Sequence, residues 1–426
     1  MEESSAFAAE WEEGSPLGPP STGTSPARVT DQRSEGSRPG PSSSAASQQQ
    51  PQPVSSPTPA PAPRSTTSVT SSNTANTPNR KSGKSGKNGG DMDADEQLFV
   101  NEFGFEISTE EMKREEVYVK NIDGSRVIRR EVKWSNMAAD WTASESKMTD
   151  KIKERCRKGI PSKLRGVAWQ LLLGSRSEMQ SPANVGVYDA LKKKRMDTEV
   201  QGIIERDLAR TFPTHVLFRD ADGIGQTQLR NILRAYANID PEVGYVQGMG
   251  FIVGTLMTQM DEEESFWALH SMMHTEKYRL RDMFRPGFPM LQLFFFQLKK
   301  LMAEHLPKLF KRFEEIGVDP SFFASQWFLT LFVYHFQFRA LLRVWDIFFC
   351  EGWKEIFRVA IALMKWEEKE LLDMPFDKVL PALKLLHENK NPDEILERSL
   401  KVKFKTEELM KWRVEYEAQL RNGAIR

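Results

Sequence analysis

Cysteine is nearly absent from this 426-residue chain: Cys156 and Cys350 are the only two. Two thiols cannot build a disulfide framework or a four-thiolate zinc site, and both read as free thiols of a reducing compartment. An excess of one charge sign is also missing. Lys plus Arg number 59 and Asp plus Glu number 59, so the formal net charge is zero. No global field draws in nucleic acid or an anionic membrane. Long apolar runs are lacking too, since a membrane-spanning helix needs about 18 clean apolar residues. The nearest candidate, Phe322 to Phe338, is interrupted by Ser325, Gln326, His335 and Gln337 and reads as a buried helix. Met1-Glu2-Glu3-Ser4 leads into no apolar core, so a secretory signal is not expected, and neither end carries a lipidation motif.

What the chain has in abundance is divided along its length. Residues 1–95 are rich in Ser, Pro, Thr, Gly, Ala and Gln, a composition that cannot bury enough apolar surface to offset chain entropy. A long disordered N-terminal tail is predicted. Pro57, Pro59, Pro61 and Pro63 alternate with small residues, which favours extended polyproline structure. This stretch is a candidate docking segment for a partner, although a plain solvated tail fits the composition better. Gly83-Lys84-Ser85 resembles part of a phosphate loop, but Pro78 stands where the leading glycine belongs. Residues 96–154 read as an adaptor, with alternating Phe99, Phe103, Phe105 and Ile107, a hairpin expected around Asp123-Gly124, and then a helix.

From about Trp134 the pattern is helical. Pro161-Ser162 opens a helix that Gly174 stops, Asp240-Pro241 ends another, and Asp261 followed by three glutamates starts a third. Asp319-Pro320-Ser321 is expected to start a helix carrying Phe322, Phe323, Trp327 and Leu331. A final, partly polar helix is expected from Thr406 to Leu420, detached from the rest. No fixed-period repeat occurs, so a regular solenoid is disfavoured. The prediction is one all-α, irregular multi-helix domain over residues 155–390, with a helical extension over 391–426.

Chemistry has few carriers. None of the six histidines sits in a metal pattern, and His270 and His274 lack the intervening glutamate of a metalloprotease helix. No nucleophile elbow or dinucleotide fingerprint is present. Two segments stand out. In Ile204-x-x-Asp207-x-x-Arg210 the three residues share one helical face, so Asp207 can steady Arg210 before Pro213 breaks the helix. An ordinary surface ion pair has the same spacing. In Gly244-Tyr245-Val246-Gln247-Gly248-Met249-Gly250 the glycines permit close backbone approach, and Gln247 carries both a donor and an acceptor. A packed helix entry has this pattern as well.

Together these segments resemble the TBC-domain GTPase-activating proteins for Rab GTPases. Arg157-Lys158-Gly159-Ile160-Pro161 with Arg165-Gly166-x-x-Trp169 is similar to the family's opening motif, and Arg343-x-Trp345-Asp346 to a later one. The resemblance covers residues 158–385. It implies an all-α TBC-type fold and a Rab-family partner in its GTP-bound form, met in the cytoplasm with transient recruitment to endomembranes and at most peripheral membrane association. It implies a catalytic activator in which Arg210 neutralises phosphate charge and Gln247 orients the attacking water. Asp207, Tyr245 and Gly248 support them. Arg165, Trp169, Arg343, Trp345 and Asp346 are structural, with an Arg343–Asp346 contact fastening a helix. No metal or cofactor of the chain's own is implied, since GTP and Mg²⁺ arrive with the partner. A non-catalytic scaffold that binds a GTPase with the same domain is the alternative.

Overall fold

Side-chain caps set several of the helix starts. The computed structural model describes residues 98–424 apart from 121, 143–148 and 389. The tail expected over 1–95, its Pro-rich stretch and the basic Arg80–Lys87 segment lie outside the described residues. Asp197 accepts from the Glu199 and Val200 amides and starts Thr198–Leu208. Asp261 and Glu264 form a reciprocal capping box at the head of Glu262–His274, leaving two fewer orphan amides. Gly174, left-handed at φ 75°, closes Ser162–Leu173. The outcome is an all-α domain of irregularly packed helices.

Met249–Met257 is its spine, with all nine residues buried. Ile224–Ile239, Glu262–His274 and Thr198–Leu208 pack around it. Phe338–Glu351 and Trp353–Trp366 form a second buried layer; Pro392–Lys401 bridges the two, and Thr149–Lys158 packs on the first. Among the described residues the only strands are β1 (Phe99–Val100) and β2 (Glu106–Ile107), antiparallel with Phe99 opposite Ile107. No helix among the described residues is long and apolar enough to cross a membrane.

Several expectations are corrected. No hairpin forms around Asp123-Gly124: Asp123 accepts from the Arg126 amide and caps the helix Gly124–Ala139. The hairpin lies earlier, between β1 and β2. Phe322 to Phe338 is not one helix. It breaks into a 3₁₀ turn at Pro320–Phe322, a short helix Ser325–Leu329 and a turn through Leu331 and Phe332, at φ 50° and 65°. A run that is apolar on every side has no period to specify a helix, and tertiary contacts decide its path. Here the Leu331 carbonyl accepts from the Trp345 indole at 3.1 Å. The last helix, Thr406–Arg421, is not detached: it buries Leu409 and Trp412, and Gln297 donates to the Leu409 carbonyl at 2.8 Å.

Candidate functional site

Thr198–Leu208 ends just before Arg210, and Met249–Met257 begins just after Gln247. Both ends meet at Asp207. This carboxylate is 3% exposed. Its Oδ1 accepts from Arg210 Nε at 2.7 Å and also from Arg210 Nη2. Its Oδ2 accepts from the Tyr245 hydroxyl, and the Gly248 amide donates to the same group. One buried carboxylate therefore ties the arginine segment to the glutamine segment across 38 positions of chain.

The electrostatics follow from burial. Desolvation pushes the Asp207 carboxyl above its ordinary value, against the pull of its Tyr245, Arg210 and Gly248 donors. Burial drives the Tyr245 phenol well up, and the Asp207 charge adds to this. Tyr245 thus stays a hydrogen-bond donor, as the network requires.

Arg210 is half-buried: its side chain retains 28% of its accessible surface, enough for an approaching molecule to touch it. Gln247 is also half-buried, between the two anchored residues Tyr245 and Gly248. Gly248 caps the following helix at φ 101°, a conformation that side chains rarely adopt. The loop after Arg210 seats on that helix. Thr211 Oγ1 donates to the Asp207 carbonyl at 2.8 Å, and the Phe212 ring lies so near Gly254 that a Cβ there would come within 2.9 Å. Thr211, Phe212 and Gly254 were not singled out from the sequence. Their signal is contact between segments about forty positions apart, which local spacing does not carry.

The remaining motif residues form a separate buried cluster. Asp346 is fully buried and accepts from Arg165 Nε at 3.0 Å, the Trp169 indole at 2.9 Å and the Ile160 amide at 2.9 Å. The expected Arg343–Asp346 contact is corrected by this geometry. Arg343 reaches Asp393 at 3.2 Å and the Arg157 carbonyl at 2.9 Å, while Asp346 fastens the opening motif to Phe338–Glu351. Trp345 is fully buried beside Trp169, with ring centroids 5.7 Å apart. Among the described residues no group of three or more His, Cys, Asp or Glu is arranged to hold a metal ion.

Comparison with known proteins places the fold. The profile of the Rab-GTPase-TBC domain matches residues 162–372. The ecotropic viral integration site 5 protein homolog of Homo sapiens is 37% identical over 291 residues, which are 66% of this chain and 34% of that protein. The Rab GTPase-activating protein tbc-11 of Caenorhabditis elegans is 36% identical over 61% of this chain and 28% of its own length. Carabin of Mus musculus is 38% identical over 56% of this chain and 53% of its own. The chain thus spans about a third of the first two relatives and half of the third. The solved Chlamydomonas flagellar RabGAP TBC domain superposes with TM-score 0.53 at 25% identity, covering 71% of this chain and all of that one. The Ypt/Rab-GAP domain of Gyp1p superposes with TM-score 0.52 at 20% identity, over 68% of this chain and 99% of its own, a likeness of fold.

Proposed function

The helical domain of this chain belongs to the Rab-GTPase-TBC family, and from that premise we propose that the chain accelerates GTP hydrolysis by a Rab-type small GTPase, supplying Arg210 and Gln247 in trans. The observation that carries this reading is the Asp207 hub, which holds a partly exposed arginine side chain and the backbone on either side of a carboxamide in one place. Relatives named as Rab GTPase-activating proteins support it.

The GTPase arrives with GTP and Mg²⁺ bound, and the chain contributes no cofactor. Phosphoryl transfer needs mainly positioning and charge stabilisation. Arg210 neutralises the charge that grows on the phosphate oxygens as the bond to the leaving group lengthens; its planar, permanently charged fork suits the task. Gln247 accepts a hydrogen bond from the attacking water and donates to its surroundings, so that the water lies in line. Asp207 fixes the Arg210 fork and, through Tyr245 and Gly248, the Gln247 loop. An arginine finger is worth roughly 10³–10⁵ in rate, on the order of 4–7 kcal/mol. The chain acts in the cytoplasm and meets its substrate by transient recruitment to endomembranes.

The test is single-turnover phosphate release from a panel of GTP-loaded Rab proteins mixed with the full chain. Arg210→Ala and Gln247→Ala should each remove most of the acceleration, on the order of 10³-fold for the arginine, while the cooperative melt is retained; Arg210→Ala lowers the unfolding temperature because it leaves the buried Asp207 without that donor. Binding without acceleration by the wild-type chain identifies a scaffold and overturns the reading.

A further inference from the structure

The loop that follows Arg210 is completed by a part of the chain upstream of the matched domain. The domain profile begins at residue 162, whereas the β1–β2 hairpin spans residues 99–107. Thr214 and Val216 lie outside any helix, yet their backbone groups have partners on this hairpin. The Glu106 amide donates to the Thr214 carbonyl at 2.9 Å, and the Val216 amide donates to the Gly104 carbonyl at 2.9 Å. Phe105 and His215 form an antiparallel bridge. The hairpin thus adds strand pairing along residues 214–216, and an ion pair between Glu106 and Arg219 closes its far end.

Side chains repeat the connection. His215 is 5% exposed. Its Nε2 lies 2.8 Å from the Phe103 carbonyl, which can only accept, and its Nδ1 accepts from the Leu217 amide at 3.0 Å. Both ring nitrogens are therefore committed in one neutral tautomer. The Phe105 ring meets His215 at 4.6 Å, Phe212 at 5.5 Å and Phe338 at 5.0 Å between centroids. Phe212 in turn stands edge-on to Phe251 at 5.7 Å. It does so at φ 51°, a conformation that a bulky residue keeps only where its surroundings hold it. Phe212 is two residues from Arg210. The hairpin itself is shaped by Asn101, whose Oδ1 accepts from the Phe103 and Phe105 amides at 3.0 Å each.

We propose that the 99–107 hairpin is a clamp on the arginine loop, and that Phe105 and His215 are positioning residues for Arg210. This rests on the reading of Arg210 as the residue supplied to the GTPase. Phe105 packs on Phe212, Phe212 sets the path of the chain leaving Arg210, and the two ladder bonds stop residues 214–216 from swinging away. The guanidinium is then presented in one place before the partner arrives. A displacement of about 1 Å at such a site costs up to about a hundredfold in rate.

The experiment uses the full chain and the same GTP-loaded Rab panel, with maximal rate and half-saturating concentration measured separately. Phe105→Ala should lower the maximal rate about tenfold to a hundredfold and change the half-saturating concentration by less than about twofold. Phe105→Leu, which restores apolar bulk, should recover most of the rate. Glu106→Pro removes the amide donated to Thr214 while keeping Phe105, and should act in the same direction. In an Arg210→Ala background Phe105→Ala should cause no further loss, because a residue that acts only through another has nothing left to position. An equal loss in that background, or a change confined to the half-saturating concentration, overturns the clamp. If the wild-type chain accelerates no Rab protein, the proposed activity fails, and amide hydrogen exchange decides the clamp alone. Phe105→Ala and Glu106→Pro should then speed exchange at Thr211 to Leu217 and leave Met249–Met257 protected; unchanged exchange in that loop refutes the proposal.

Discussion

A carboxylate taken out of water must collect donors or give up its charge. Asp346 collects donors from Arg165, Trp169 and Ile160. Asp207 is pushed toward its neutral form by burial and pulled back by Tyr245 and Arg210. Glu355 is fully buried and its donors are fewer: Ser399 Oγ at 2.8 Å and Arg358 Nη1 at 3.3 Å. Arg358 is also shared with Glu351 at 2.9 Å. Burial accordingly pushes Glu355 up to about 7, with Arg358 and Ser399 opposing and the Glu351 charge adding to the rise. A folded value above the ordinary 4.5 means that the folded state binds more protons than the unfolded chain across that interval. Stability is then fully present below the lower value and is lost as pH rises through the upper one. The wild-type chain should lose about 1–2 kcal/mol from this group between pH 6 and pH 8. Glu355→Gln keeps the shape and removes the titration. The two chains differ only at this position, so the difference between their pH–melting curves isolates Glu355. Parallel curves would refute the assignment.

Helices show which signals a sequence carries locally. Asp261 and Gly174 act within four residues of themselves, and the helix ends they mark are legible in the sequence. Asp123 is the same residue type in the same local setting, followed by Gly124, but it caps a helix instead of turning a hairpin. Both uses satisfy backbone amides, and only the later register of Trp134 and Met137 against the core selects between them. The three-residue spacing of Asp207 and Arg210 could be read directly. Asp346 could not be matched to Arg165, 181 positions away, so the nearer Arg343 was the expected partner. Glycines inside helices pose the same problem. Gly166 and Gly202 look alike in sequence, and helix propensity alone favours alanine at each by about 1 kcal/mol. A Cβ at Gly166 would lie 2.0 Å from the Gln259 carbonyl oxygen, whereas one at Gly202 would meet nothing nearer than an arginine nitrogen at 3.6 Å. Backbone cannot move aside cheaply. Gly166→Ala should therefore destabilise by about 2–3 kcal/mol or more, and Gly202→Ala should stabilise by up to about 1 kcal/mol. Urea unfolding of the two variants checks both signs.

At the scale of the whole molecule, the body that folds extends beyond the residues matching the family profile. Upstream of residue 162, Trp134 and Met137 are buried, and Ile152, Cys156 and Ile160 join the same core. Downstream of residue 372, Val379, Leu383, Ile395, Leu396, Val402, Leu409 and Trp412 are buried as well. The ion network also crosses both limits. Arg157 pairs with Glu351 at 2.6 Å, Ser399 donates to Glu355, and Arg343 bonds to Asp393 at 3.2 Å. Each large apolar side chain withdrawn from water contributes roughly 1.5–3 kcal/mol. A typical domain is stable by only about 5–15 kcal/mol in total. Exposing the inward faces of Phe338–Glu351 and Trp353–Trp366 by removing both flanks exceeds that margin several times over, and it leaves Glu351 and Glu355 without half of their donors. A fragment of residues 162–372 should therefore show no cooperative thermal transition and should bind a hydrophobic dye, whereas the full chain melts sharply. Restoring only residues 98–161 should not rescue it, because the Pro392–Lys401 and Thr406–Arg421 helices cover a different side of the core. A sharp calorimetric transition from the 162–372 fragment would show instead that the flanking helices are accessories to a domain that stands without them.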